Sequence, residues 1–98
     1  MIEQGRVPGN SVSAEVCVVN ELGIHARPAA NLAKEAQRFT SDIVLTAGGQ
    51  EVDAKSILDI LTLAAAPGCN LVIRATGEDA SDAVEALIAL FRRRFGEE

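Results

Sequence analysis

The chain is predicted to be an α+β domain, an open sandwich in which a four-stranded, mainly antiparallel sheet carries three helices on one face. Three observations point there. Apolar residues alternate with polar ones in some segments and recur at helical spacing in others, and turn residues separate them in the order β-α-β-β-α-β-α. With 98 residues, 48% of them hydrophobic and 23% charged, the chain has material for one core. Elements in this order and of this length bury their apolar sides as a single sheet covered by helices on one face, with the other face left to water.

Residues 1–10, MIEQGRVPGN, hold Gly5, Pro8 and Gly9 without periodicity and are expected to be a flexible tail, with the domain running from 11 to 98. From Val12 to Val19, the residues Val12, Ala14, Val16 and Val18 alternate with Ser13, Glu15 and Cys17, as in a strand with one wet face. Asn20-Glu21-Leu22-Gly23 breaks it. The spacing of Ala29, Leu32, Ala33, Ala36 and Phe39 then predicts a helix over Ala26–Arg38, with Pro28 tolerated in the first turn. Ile43 to Thr46 and Gln50 to Asp53 form a hairpin about Gly48-Gly49. Ser56 and Asp59 have the spacing of a capping box, opening a short helix through Leu63 that Pro67-Gly68 stops. Leu71–Thr76 is the fourth strand. Asp79 and Asp82 are placed to cap a last helix whose apolar side is Val84, Leu87, Ile88, Phe91 and Phe95, and Arg92 to Arg94 suit its C-terminal dipole.

Nine Lys and Arg against fourteen Asp and Glu give a net charge of -5, which disfavours nucleic acid and anionic lipid as partners. Three Phe, with no Trp or Tyr, leave little for base stacking. Cys17 and Cys69 form no CxxC pair and are expected to stay reduced. Neither a signal peptide nor a bilayer-spanning stretch of about 20 apolar residues is present, so a soluble, cytoplasmic protein is expected. No metal-ligand spacing occurs, and no bound cofactor is expected.

The chemistry-bearing residues concentrate in Gly23-Ile24-His25-Ala26-Arg27-Pro28-Ala29-Ala30, where the only histidine stands at the entry of the first helix. Helix N-terminal N–H groups bind anions, and a guanidinium two residues on can clamp phosphate oxygens, so a phosphoryl group on the imidazole would be held from both sides. The same positive field disfavours imidazolium and leaves a neutral ring nitrogen free to attack phosphorus. The plain alternative is a surface cap at His25 and a solvated charge at Arg27.

GIHARPAA resembles the active-site signature of the HPr family, the histidine-containing phosphocarriers of the phosphoenolpyruvate-dependent sugar phosphotransferase system. The resemblance continues through Lys34-Glu35-Ala36, Phe39-Thr40-Ser41, the hairpin, Ala54-Lys55-Ser56 and Thr76-Gly77-Glu78-Asp79-Ala80. It implies the HPr-like open-faced β-sandwich. It further implies that His25 is phosphorylated at Nδ1 by enzyme I and passes the group to an enzyme IIA, with Arg27 stabilising the phosphate. Ser56 matches a position that a dedicated HPr kinase/phosphorylase modifies in some bacteria; its structural role is the helix N-cap, worth about 1 kcal/mol. By the same resemblance Ile57, Leu58 and Leu61 dock partners, with core packing as the rival, and Lys34 and Lys55 belong to a basic rim with Arg27 and Arg38. Asp59 and Gln37 depart from the family's Gly or basic residue and Lys, and thin that rim. The carrier is expected to act as a monomer. Two other functions remain open, an HPr-like relay in a nitrogen-related branch and an interaction module with an incidental His25.

Overall fold

Alternation and helical spacing are realised as seven elements in a computed structural model that describes residues 11–17, 26–63 and 70–93. In chain order they are β1 (Ser11–Cys17), α1 (Ala26–Ala36), β2 (Asp42–Ala47), β3 (Gln50–Asp53), α2 (Ile57–Thr62), β4 (Asn70–Thr76) and α3 (Ala80–Arg92). Among the residues named above, 1–10, 18–25, Pro67, Gly68, Cys69, Arg94 and Phe95 lie outside the described residues.

The strands form one sheet in the order β1-β4-β2-β3, every neighbouring pair antiparallel. β4 therefore separates β1 from β2, and β2 separates β3 from β4, so α1 and α2 are crossovers of two interleaved split βαβ units. Crossovers of one hand put both helices on the same face, where α3 packs on β1 and β4 and touches α1. Gly48 and Gly49, at φ +57° and +81°, supply the left-handed pair that a tight hairpin turn requires.

Pairing partners share a face. Ser13, Arg74, Val44 and Asp53 form one row across the uncovered side, and Glu15, Val72, Thr46 and Glu51 the next. An Arg74 to Glu51 ion pair of 2.8 Å crosses between the rows, exposed and so of small energetic consequence. On the opposite side Ile43, Leu45, Val52, Leu71, Ile73 and Ala75 are buried. They meet Leu32, Ala33 and Ala36 of α1, Ile60 of α2, and Val84, Leu87 and Phe91 of α3 in one core.

α1 ends two residues before the expected Arg38. The Arg38 and Phe39 N–H groups donate to Glu35 and Ala36 carbonyls, tightening the last turn to i→i−3 bonds as the chain leaves for β2. On α3 the expected apolar side holds at Val84, Leu87, Ile88 and Phe91, and Ala80, Ala83 and Leu90 widen it.

Candidate functional site

Pro28 is buried in the first turn of α1, where its missing N–H removes a group that had no helical partner. That turn holds no acidic residue, so among the described residues no carboxylate of its own neutralises the positive end of the helix. Arg27 is exposed there and makes no ion pair with a described residue. His25 precedes Ala26 directly in the chain and lies outside the described residues. The described part of the predicted site is thus a helix first turn without acidic residues and an exposed guanidinium that pairs with no described residue, a combination suited to a small oxyanion.

α2 packs beside α1. Ser56 is its N-cap in extended backbone (φ −113°, ψ 114°), and its Oγ accepts the Asp59 N–H at 3.2 Å. Only half of the expected capping box forms. The Ser56 N–H donates to the Asp53 carbonyl at 3.2 Å, so the Asp59 carboxylate has no N–H to receive. Ile57, Leu58 and Leu61 are 42%, 75% and 41% exposed, whereas Ile60 and the following Leu63 are buried. Of the two readings of this apolar group, core packing fails for the three outward residues and an exposed patch remains.

The expected basic rim is more committed than its charges suggest. Lys34 is exposed and makes no ion pair with a described residue. Lys55 is half-buried, its ammonium donating to the Phe39 carbonyl at 2.8 Å. Arg38 pairs with Glu35 and lies over the Phe39 ring, 5.4 Å from its centroid. Gln37 donates its side-chain amide to the Lys55 carbonyl at 2.9 Å.

Asp79 sits at the head of α3 but does not cap it with its side chain. Its carboxylate turns to the α1–β2 connection, taking the Thr40 N–H on one oxygen and the Ser41 N–H on the other, both at 2.9 Å. The Ser41 hydroxyl donates to the second oxygen at 2.5 Å. The Ser41 hydroxyl and then the Thr40 N–H hold the carboxyl below its ordinary 3.8, at about 2, against the opposing effect of partial burial. Two of the motif segments, Phe39-Thr40-Ser41 and Thr76-Gly77-Glu78-Asp79-Ala80, are therefore the two halves of one structural clasp. Helical spacing cannot announce a carboxylate that leaves its own helix. Among the described residues no three His, Cys, Asp or Glu side chains converge as metal ligands, and no helix is long and apolar enough to cross a membrane.

A family model described as the PTS HPr component phosphorylation site matches residues 12–93. The chain belongs to the HPr family. The phosphocarrier protein HPr of Cupriavidus necator is 40% identical over 83 residues, covering 85% of this chain and 93% of that protein. The crystal structure of HPr-C-His from Thermoanaerobacter tengcongensis superposes with a TM-score of 0.86 at 36% identity, covering 89% of this chain and 98% of the other. The match bears out the HPr-like open-faced sandwich and makes the chain a phosphocarrier of the phosphotransferase-system family, whose members act with other components of that system. Crh of Bacillus subtilis, solved as a dimer with a swapping domain, is similar at TM-score 0.69 and 42% identity over 80% of this chain and 90% of its own. A single-chain state is therefore not common to all HPr-like structures.

Proposed function

We propose that this HPr-family chain carries a phosphoryl group on His25, taken from phosphorylated enzyme I and handed to an enzyme IIA. The observation that carries the proposal is the first turn of α1, free of acidic residues and with Arg27 exposed in it, which His25 directly precedes in the chain. In-line transfer requires that a neutral imidazole nitrogen, by family resemblance Nδ1, approach phosphorus as the donor's bond to phosphorus breaks. The three oxygens keep their charge throughout, and a fixed cation with helix N–H groups lowers the cost of bringing that charge onto a small protein of net charge -5. A phosphorus–nitrogen bond leaves the group transferable, so positioning accounts for most of what the chain must contribute.

Ile57, Leu58 and Leu61 supply the apolar docking surface in this proposal, with Lys34 and Lys55 as its cations. Ser56 is a site of regulatory phosphorylation by an HPr kinase/phosphorylase: it is half-buried at the head of the same patch, and a phosphate there adds charge against an apolar partner face. The protein acts in the cytoplasm as a monomer.

The test incubates the chain with enzyme I, magnesium and phosphoenolpyruvate, and looks for one acid-labile phosphoryl group by intact mass. His25→Ala should lack it. Transfer onward to a sugar-specific enzyme IIA, compared with a nitrogen-type one, assigns the branch. Absence of labelling by an enzyme I that labels another HPr refutes the proposal.

A further inference from the structure

α2 is six residues long, and helices shorter than about 12 residues are marginal on their own. Its only buried side chain is Ile60, reinforced by Leu63 directly after it, while Ile57, Leu58 and Leu61 face outward. One apolar anchor fixes a point and leaves rotation about that point cheap. Polar ties at both ends restrict it. At the N-terminal end the Gln37 amide donates to the Lys55 carbonyl at 2.9 Å, and the Lys55 ammonium donates back to the Phe39 carbonyl at 2.8 Å. At the C-terminal end the Gln50 amide donates from β3 to the Thr62 carbonyl at 3.1 Å. Both amides face carbonyl oxygens, so only their NH2 groups can make these bonds.

From this arrangement we infer that Gln37 and Gln50 are positioning residues for partner docking: they hold α2 at both ends, so that its apolar patch meets enzyme I in one orientation. The inference rests on the phosphocarrier reading above. Neither glutamine belongs to the phosphoryl site. Gln37 leaves the end of α1 opposite to Arg27, and Gln50 opens β3 after the hairpin turn. Together they tie α2 to the helix that carries Arg27 and to the sheet beneath. Losing the ties should widen the range of patch orientations, weaken docking and leave the transfer step itself alone.

The test compares Gln37→Met, Gln50→Met and the double variant with the unaltered protein. Methionine keeps the length of the side chain and removes the donor. In the double variant, amide hydrogen exchange at Ile60 and Leu61 should quicken about 25-fold while Ile73 and Leu45 in the sheet keep their rates, since each of the two bonds shifts a local equilibrium by about fivefold. In the same variant the KM of enzyme I for the carrier should rise about fivefold with kcat within about twofold, the signature of lost docking. Gln37→Glu has the same shape but sets an acceptor against a carbonyl, and should behave as Gln37→Met. Unchanged exchange in α2 overturns the inference, as does faster exchange with an unchanged KM. A fall in kcat alone also overturns it. Should the double variant not fold, the single variants decide by the same two readouts. If enzyme I fails to label even the unaltered protein, the phosphocarrier reading is what fails, and the docking role falls with it.

Discussion

Replacing Gly77 by alanine should be among the most damaging single-atom additions this fold can receive. Gly77 joins β4 to α3 at φ +148°, a conformation L side chains rarely adopt. A Cβ added there would stand 2.8 Å from the Ser41 Cα and 2.9 Å from its Cβ, with the Ser41 Oγ also in its way. Ser41 cannot retreat cheaply. It is buried, and both its N–H and its hydroxyl are bound to the Asp79 carboxylate. The backbone conformation contributes about 1–3 kcal/mol and the overpacking a similar amount, so Gly77→Ala should lose about 2–6 kcal/mol. For a domain of 98 residues, at about 4–8 °C per kcal/mol, that lowers Tm by roughly 10–50 °C. Gly48→Ala is the control. Gly48 also has positive φ, at +57°, but nothing lies within 4 Å of its added Cβ, so only about 1 kcal/mol is at stake. Urea unfolding at neutral pH measures both, with an unchanged slope showing that the same transition is compared. If Gly77→Ala loses no more than Gly48→Ala, the close approach of Gly77 to Ser41 does not constrain the fold and the clasp argument is wrong.

Asp79 has a folded pKa of about 2 against an ordinary 3.8, so its contribution to stability is fully present above the ordinary value and is lost as pH falls toward the folded one. Tm should therefore drop between about pH 4 and pH 2, and Asp79→Asn, already less stable at neutral pH, should show a shallower drop over that window. Within α2, Ile60→Ala should cost about 2–5 kcal/mol in urea unfolding as a cavity in the core. Leu58→Asp, at a position 75% exposed, should change stability by less than about 0.5 kcal/mol while raising the KM of enzyme I. Arg27→Ala should leave Tm within about 2 °C and slow phosphorylation of His25 by about tenfold or more in single-turnover assays with enzyme I.

Element order, strand faces and the inward residues of α1 and α3 were legible because each follows from a local period that the core then enforces, as at Ile43, Leu45, Leu71 and Ile73. The cap at Ser56 was legible for the same local reason. Asp79 was not: its position promises a cap, and only the tertiary approach of Thr40 and Ser41 offers three better donors than the first turn of α3. Composition makes Lys55 a rim cation and Gln37 a gap in that rim, because it registers a charge or its absence and not the carbonyl each side chain meets. At the candidate site the residue types were legible from the octapeptide, and the absence of an acidic first turn in α1 adds the electrostatic reason they suit a phosphate.

α1 keeps chemistry and stability apart. Arg27 stands in its first turn and the Asp79 clasp grips the connection beyond its last, so the whole helix of 11 residues lies between them, about 16 Å at about 1.5 Å per residue. Changes at Gly77 or Asp79 should therefore move Tm without altering transfer in molecules that remain folded, and changes at Arg27 should do the reverse. α2 cannot be separated in this way. Ile60 is buried between Leu58 and Leu61, which are not, and the glutamine ties that orient the outward residues act on the same six-residue segment. Substitutions at Ile60 or at the ties should move stability and docking together, whereas the exposed Leu58 acts on docking alone, and a double-mutant cycle between Gln50→Met and Leu58→Ala measures how far the ties orient the patch. If the ties act by orienting the patch, losing Leu58 should cost less docking once Gln50 is gone, because the contact it makes is already averaged over orientations. Strict additivity in the KM of enzyme I would mean that the two residues act independently and that α2 needs no help in facing its partner.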